Sequence, residues 1–333
     1  MSLARLIVER LALALVTIWA VLSGIFLLFV GTENWYLGTI LARVARSPTT
    51  DAEDVEAVKQ EYLAERGLDG ELHELYVDWM ANMFTFQWGQ SFDHGVDALP
   101  MVLSGTARTA AYVLPAILLA VIVGLAVGLF TAMNDGSLSD STTRTVTYAG
   151  MGIPNFWVGA VLLTLSASAA VIYRPVFLTG MSGQPEIAVT EWPALYSYVL
   201  PTLLVATTLL AAVASYARAY SKQYYADDIT KLVKAKGGGR VTIAKHVVRN
   251  AAIPLVSILF TETLALIALS VFVIEAVFAI DGIGSLFYNA IWTQDLPIVM
   301  GSAMVFVTLG VVGNLLQDLL NSLLDPRVDT ASL

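Results

Sequence analysis

Three acids lie within or at the ends of long apolar runs: Glu262, Glu275 and Asp318. A charged side chain at the centre of a membrane helix costs about 2.5–3.5 kcal/mol on insertion scales, so such a residue faces a cavity, an ion path or a partner side chain. Glu262, a third of the way along its run, is the costliest and the first candidate to face a pathway. Glu275 sits near the outer end of the same run. Asp318 and Asn314 share a helix face at i,i+4 and can hydrogen-bond across to another helix. Structural pairing within a bundle stands beside the functional reading for all of them. Cysteine is absent, which excludes disulfides, thiolate zinc sites and thiol catalysis. His73, His94 and His246 are too dispersed in sequence to suggest a metal site. Gly237-Gly238-Gly239 lacks the Lys-Ser/Thr that follows a phosphate-cradling glycine loop and joins no strand to a helix. No catalytic constellation is visible, and any nucleotide must bind to another subunit.

The second stretch with chemistry is basic. Tyr216–Pro254 holds eight Lys/Arg against two Asp, between apolar runs that are nearly free of charge. Ile229, Leu232 and Val233 fall at helical spacing, so Asp228–Lys236 is expected to form a short amphipathic helix. Asp227 and Lys231 stand i,i+4 with the acid first, the favourable order for a pair. Gly237-Gly238-Gly239 ends the helix, because consecutive glycines carry too much backbone entropy to continue it. Arg240 then reopens a helical pattern, with Val241, Ala244 and Val248 as its expected apolar side. A basic juxtamembrane loop can simply hold anionic lipid headgroups; a helix closed by glycines is more structure than that role needs.

These segments must be positioned by membrane helices. The 333 residues are 57% hydrophobic and only 14% charged, with mean hydropathy +0.71; soluble domains carry about 25% charge. Leu11–Val30 is uncharged, and twenty residues at about 1.5 Å each cross the hydrocarbon core. Further spans are expected at about 112–133, 145–173 (with Pro154 inside), 192–216, 251–280 and 296–324. The net charge of −9 resides in Gly31–Gly105, which has 13 Asp/Glu and four Lys/Arg. Within it, Ala52–Arg66 should be helical with Val55, Val58, Tyr62 and Leu63 on one face, and Gly67-Leu68-Asp69 should turn. Leu72, Leu75, Tyr76 and Trp79 then make a second helical face, and the Phe84, Phe86, Trp88 and Phe92 cluster is expected to pack on these helices or to lie at the headgroup level. Six spans put both termini on one side with the basic loop. Met1–Arg10, 134–144, 216–250 and the tail carry 12 of the 18 Lys/Arg, so the positive-inside rule makes that side cytoplasmic and the acidic loop external.

Several segments resemble the permease subunits of ABC importers, specifically the dipeptide/oligopeptide/nickel branch. They are Asp228-Ile229-Thr230-Lys231, Lys234-Ala235-Lys236-Gly237, His246 and Arg249-Asn250-Ala251 before Pro254, together with Trp88-Gly89-Gln90-Ser91, Gly152-Ile153-Pro154-Asn155-Phe156-Trp157 and Asp281-Gly282-Ile283-Gly284. Lys231-Leu232-Val233 stands where that family has the Glu-Ala-Ala triplet of its EAA motif. The resemblance implies an all-α membrane protein of the type I permease fold: a first-helix region 1–30, a helical extracellular insertion 31–105, a membrane domain 106–325 and a tail 326–333. The loop 217–250 would couple to an ATPase through Asp228, Ile229, Lys231, Leu232, Val233, Lys234, Ala235, Lys236 and Gly237. It also implies no cofactor in this chain, since ATP and Mg would be held by two ABC ATPase subunits. The other implied partners are a second permease subunit, an extracellular solute-binding lipoprotein and the lipid bilayer, with no nucleic acid. Transport of di/oligopeptides or a related small solute follows. The alternative from the residues alone is an ion-coupled secondary transporter using the intramembrane carboxyls. That reading expects internal repeats with broken helices, and the sequence shows none.

Overall fold

The computed structural model describes residues 3–46, 51–168 and 192–324. Among them are twelve α-helices. Four helical stretches are long and apolar enough to cross a membrane, Val8–Val44, Ala98–Met133, Tyr198–Tyr225 and Leu296–Asn321, and up to seven crossings result if each bent helix pair counts as one. The loop expected at 174–191, residues 169–173 of the expected third span, and the tail 326–333 lie outside the described residues.

Helix boundaries depart from the apolar runs at Pro154 and where polar contacts extend a helix. The run expected as one span from 145 is instead α6 (Leu138–Gly152) and α7 (Asn155–Ser168), bent by 84°. Ile153, before Pro154, adopts φ −98°, ψ 119°, the extended conformation that the proline ring imposes on its predecessor. In α5 (Ala98–Met133), α8 (Trp192–Tyr225) and α10 (Arg240–Phe278) the prolines 115, 201 and 254 sit inside continuous helix. Such prolines are tolerated in membrane helices because neighbours re-satisfy the freed carbonyls. α10 bends by 58° around Pro254. It therefore unites the second half of the basic loop with the expected fifth span. α8 likewise overruns its expected end at Tyr216, reaching Tyr225. α12 (Leu296–Leu324) has the expected bounds.

The chain divides into two compact units. One comprises Ala107–Asp281 and the chain from Val312. Its core joins Tyr112, Val113 and Ala116 of α5 to Val205 and Leu209 of α8 and Ile274 and Phe278 of α10. Deeper along the same pair of helices, Gly124 and Gly128 face Val213, Ala214 and Ala217. This is the small-xxx-small spacing that lets membrane helices approach closely. A Cβ on Gly128 would lie 2.5 Å from the Ala217 Cβ and 2.7 Å from the Ala214 carbonyl oxygen.

The other unit comprises Ser2–Thr106 and Gly282–Val311. Here α1 (Leu3–Gly31) buries Leu22 and Phe26 against Met80 and Met83 of α4 (Leu72–Phe84). The Ser23 hydroxyl shares a hydrogen bond with the Tyr76 hydroxyl at 2.8 Å. α2 (Trp35–Val44) follows α1, and α3 (Ala52–Glu65) carries a capping box built from Asp51 and Asp54. α3 ends as expected: Gly67 takes φ +58° and Leu68 N–H donates back to the Leu63 carbonyl. Leu72, expected on the buried face of α4, is exposed, and Phe86 is too; Met80 and Met83 take the deep positions because they lie opposite Leu22 and Phe26. Trp88 is buried, donates from Nε1 to the Met83 carbonyl, and presses its ring on Gly301. Buried Asp295 accepts from the Ser91 hydroxyl and the Asp93 N–H. After the short break at 279–282, α11 (Ile283–Thr293) follows.

Candidate functional site

The basic loop is nearly all helix. α9 (Asp228–Ala235) stands between the ends of α8 and α10, with Asp227 as its N-cap. The Asp227 carboxylate accepts from the Asp228 N–H at 2.7 Å. That leaves Lys231 to pair with Asp228 at 2.7 Å, not with Asp227 as the spacing suggests. The ammonium holds the Asp228 carboxyl below its usual range and the carboxylate raises Lys231 in return, so both stay charged at neutral pH. At the other end Lys236 is the C-cap and Gly237 turns left-handed at φ +80°. Gly237 N–H donates to the Lys234 carbonyl and Gly238 N–H to the Val233 carbonyl, the Schellman closure that favours glycine.

Two contacts fasten α9 to α8. The Thr230 side chain is fully buried and donates to the Tyr224 carbonyl at 2.8 Å. The Lys234 ammonium lies 3.6 Å from the centre of the Tyr225 ring, within cation–π range. Leu232 remains 54% exposed, and Val233 is half-buried while Lys231, Lys234, Ala235, Lys236 and Gly237 are exposed. The Ile229 side chain lies outside the described residues. In the first turns of α10 the buried positions are Ile243, Val247 and Ala251; Val241 is 83% exposed and Val248 also faces outward. The expected stripe of Val241, Ala244 and Val248 is thus the outer one, since the inner stripe is set by packing against neighbouring helices.

Beside this loop lies a charge network that joins the α5–α6 turn to α8. Asp140 is fully buried at the third position of α6, where Ser137 caps the helix. Its two oxygens accept from Arg218 Nε at 2.5 Å and Nη2 at 2.9 Å, a bidentate fork. Gly136 N–H also donates to it at 3.3 Å. Arg218 Nη2 reaches Asp135 at 2.9 Å, and Lys222 pairs with the other oxygen of Asp135 at 2.7 Å.

Of the intramembrane carboxyls, Glu275 is fully buried and accepts from the Thr109 hydroxyl at 2.5 Å and the Tyr112 hydroxyl at 3.1 Å. It ties α10 to α5. Asn314 is exposed and Asp318 half-buried on α12. Asn321 of α12 donates to the Ser257 hydroxyl of α10 at 3.1 Å. Glu262 lies in α10, and its side chain is outside the described residues. Among the described residues no three His, Asp or Glu converge to hold a metal ion.

The family model for the binding-protein-dependent transport system inner membrane component matches residues 124–330. This chain belongs to that family. It is a permease subunit of an ABC importer, and the ion-coupled secondary-transport reading is set aside. The permease is 30% identical over 275 residues to a dipeptide transport system permease protein of Bacillus subtilis, covering 82% of this chain and 84% of the relative. An oligopeptide transport system permease protein of the same organism is 26% identical over 277 residues, covering 82% and 86%. A metal-staphylopine import system permease protein of Staphylococcus aureus is 25% identical over 324 residues, covering 97% and 98%.

Sequence reasoning placed Thr230 in a matching segment without giving it a role, and missed the Asp140–Arg218 fork and Asn321 in this permease. The Ser137-x-x-Asp140 spacing is a capping signature, and it marks the start of α6. Nothing in that signature reveals that the same carboxylate receives an arginine 78 residues away.

Proposed function

We propose that this permease forms a translocation pathway with a second permease subunit and imports di/oligopeptides or a related small solute. The solute class comes from the names of the dipeptide and oligopeptide relatives. In this reading six spans cross the membrane, the segment 31–105 lies outside, and 217–250 lies in the cytoplasm with both ends of the chain. An extracellular solute-binding lipoprotein delivers the solute, and two ABC ATPase subunits supply the driving force. ATP drives transport only by favouring one conformation of the complex over the other.

The observation that carries the reading is α9 itself: a two-turn helix, capped at both ends and fastened to α8, that leaves Leu232 exposed. A leucine so presented suits a groove on an ATPase. Truncation of a buried interface anchor costs about 2 kcal/mol or more, whereas a charge at the rim changes association rate and salt dependence. Leu232→Ala should therefore weaken ATPase copurification at low and high salt alike. Lys236→Gln, at the exposed C-cap, should matter only at low salt. A lipid-anchoring loop predicts the reverse order. A silent Leu232→Ala with a severe Lys236→Gln would remove the docking role.

A further inference from the structure

The loop segments on either side of α9 are helical, and one of them is clamped. α8 continues past its apolar run as helix, and its first polar turn carries Arg218 and Lys222 onto the α5–α6 turn. Asp140 receives both nitrogens of the Arg218 fork and the Gly136 N–H, and none of its surface is exposed. It also sits in the first turn of α6, where the helix dipole favours a carboxylate. Beyond the clamp, α8 reaches Tyr224 and Tyr225, which hold α9 through Thr230 and Lys234. α6 in turn leads to the break at Pro154, beyond which α7 packs: Gly159 lies against Leu204 of α8 and Phe278 of α10. A displacement of α9 thus has a continuous solid route to the Pro154 bend.

We propose that Arg218 and Asp140 form a strut that makes α6 and the polar end of α8 move as one body, carrying the motion of α9 to the hinge at Pro154. They are positioning residues for coupling and touch neither solute nor nucleotide. A Lys in place of Arg218 keeps the charge but loses the two-pronged geometry that fixes orientation. The strut rests on the docking role of α9, and the experiment separates the two.

This chain has no cysteine, so labels on it compete with no native thiol of its own, and cysteines of the partner subunits are replaced before labelling. Spin labels at Thr142 on α6 and Gln223 on α8, both exposed, report the distance across the strut. It is measured in the assembled importer without nucleotide and after trapping with ADP–vanadate. The wild-type arrangement should give one narrow distance that is the same in both states. Arg218→Gln should lose that narrow distance in the trapped state while ATPase still copurifies. Arg218→Lys should keep it in the nucleotide-free state and broaden it on trapping. A wild-type distance that shifts on trapping overturns the strut, as does an Arg218→Gln complex with the wild-type distance in both states. Should Arg218→Gln fail to assemble, Arg218→Lys decides: wild-type width in the trapped state overturns the proposal. Leu232→Ala, scored by ATPase copurification in parallel, reports on docking alone, so a failed strut and a failed docking site give different patterns.

Discussion

Gly128→Ala probes the tightest glycine approach among the described residues of the unit that holds Ala107–Asp281. The new methyl would sit 2.5 Å from the Ala217 Cβ, 2.7 Å from the Ala214 oxygen and 2.8 Å from the Arg218 nitrogen. Carbon pairs settle at about 3.5–4.0 Å, so α5 and α8 must part by roughly 1 Å, because two of the three obstacles are backbone. Overpacking of this kind costs about 1–3 kcal/mol. Against that, alanine is about 1 kcal/mol better than glycine inside a helix. The net loss is about 0–2 kcal/mol, up to roughly a 30-fold change in the folded/unfolded ratio. Gly150→Ala is the control, since its methyl would meet nothing closer than the Ala211 Cβ at 3.6 Å and keeps the propensity gain. Gly124→Ala falls between, facing the movable Val213 side chain at 2.9 Å. Thermal unfolding midpoints of the purified importer should rank Gly150→Ala highest, then Gly124→Ala, then Gly128→Ala. A Gly128→Ala midpoint equal to that of Gly150→Ala would refute the close approach.

Glu275→Ala removes the acceptor of the Thr109 and Tyr112 hydroxyls; at about 1.5 kcal/mol per bond to a carboxyl it should cost about 3 kcal/mol, and Glu275→Gln, which keeps one acceptor oxygen, clearly less in the same melt. Single cysteines at Glu61 and Lys234 should react with an impermeant thiol reagent from opposite faces of the membrane; reaction from one face removes the six-span arrangement. Glu262→Gln should leave assembly intact and alter uptake of a labelled dipeptide if this carboxyl faces the pathway, whereas unchanged uptake with a lowered melting midpoint assigns it to helix pairing.

Local chemistry was readable where one or two residues decide the backbone. The start of α9 at Asp228 follows from the spacing of Ile229, Leu232 and Val233, and its closure at Gly237 and the Gly67 turn follow from glycine stereochemistry. Hydropathy found the apolar runs but not the helices that contain them. α8 outlasts its run because Arg218 and Lys222 have partners on another element, and no property of the run discloses those. The start of α10 offers two apolar stripes at helical spacing, Val241-Ala244-Val248 (i, i+3, i+7) and Ile243-Val247-Ala251 (i, i+4, i+8), and periodicity alone does not choose between them. Only the neighbours choose, and they bury the second. Gly124 and Gly128 were likewise visible as glycines but not as a contact, since the opposing alanines lie far away in sequence.

The overrun of α8 also fixes a length. From Tyr216, the end of its apolar run, to Tyr225 is nine residues, about 14 Å of helix. From Arg240 to Asn250 α10 supplies a comparable rise. The headgroup layer adds only about 5–7 Å beyond the hydrocarbon on each side, and the screening length at physiological salt is about 8 Å. With α8 upright, α9 stands roughly one screening length beyond the lipid phosphates. Its lysines then sit where an anionic membrane attracts them weakly and an approaching protein meets them first.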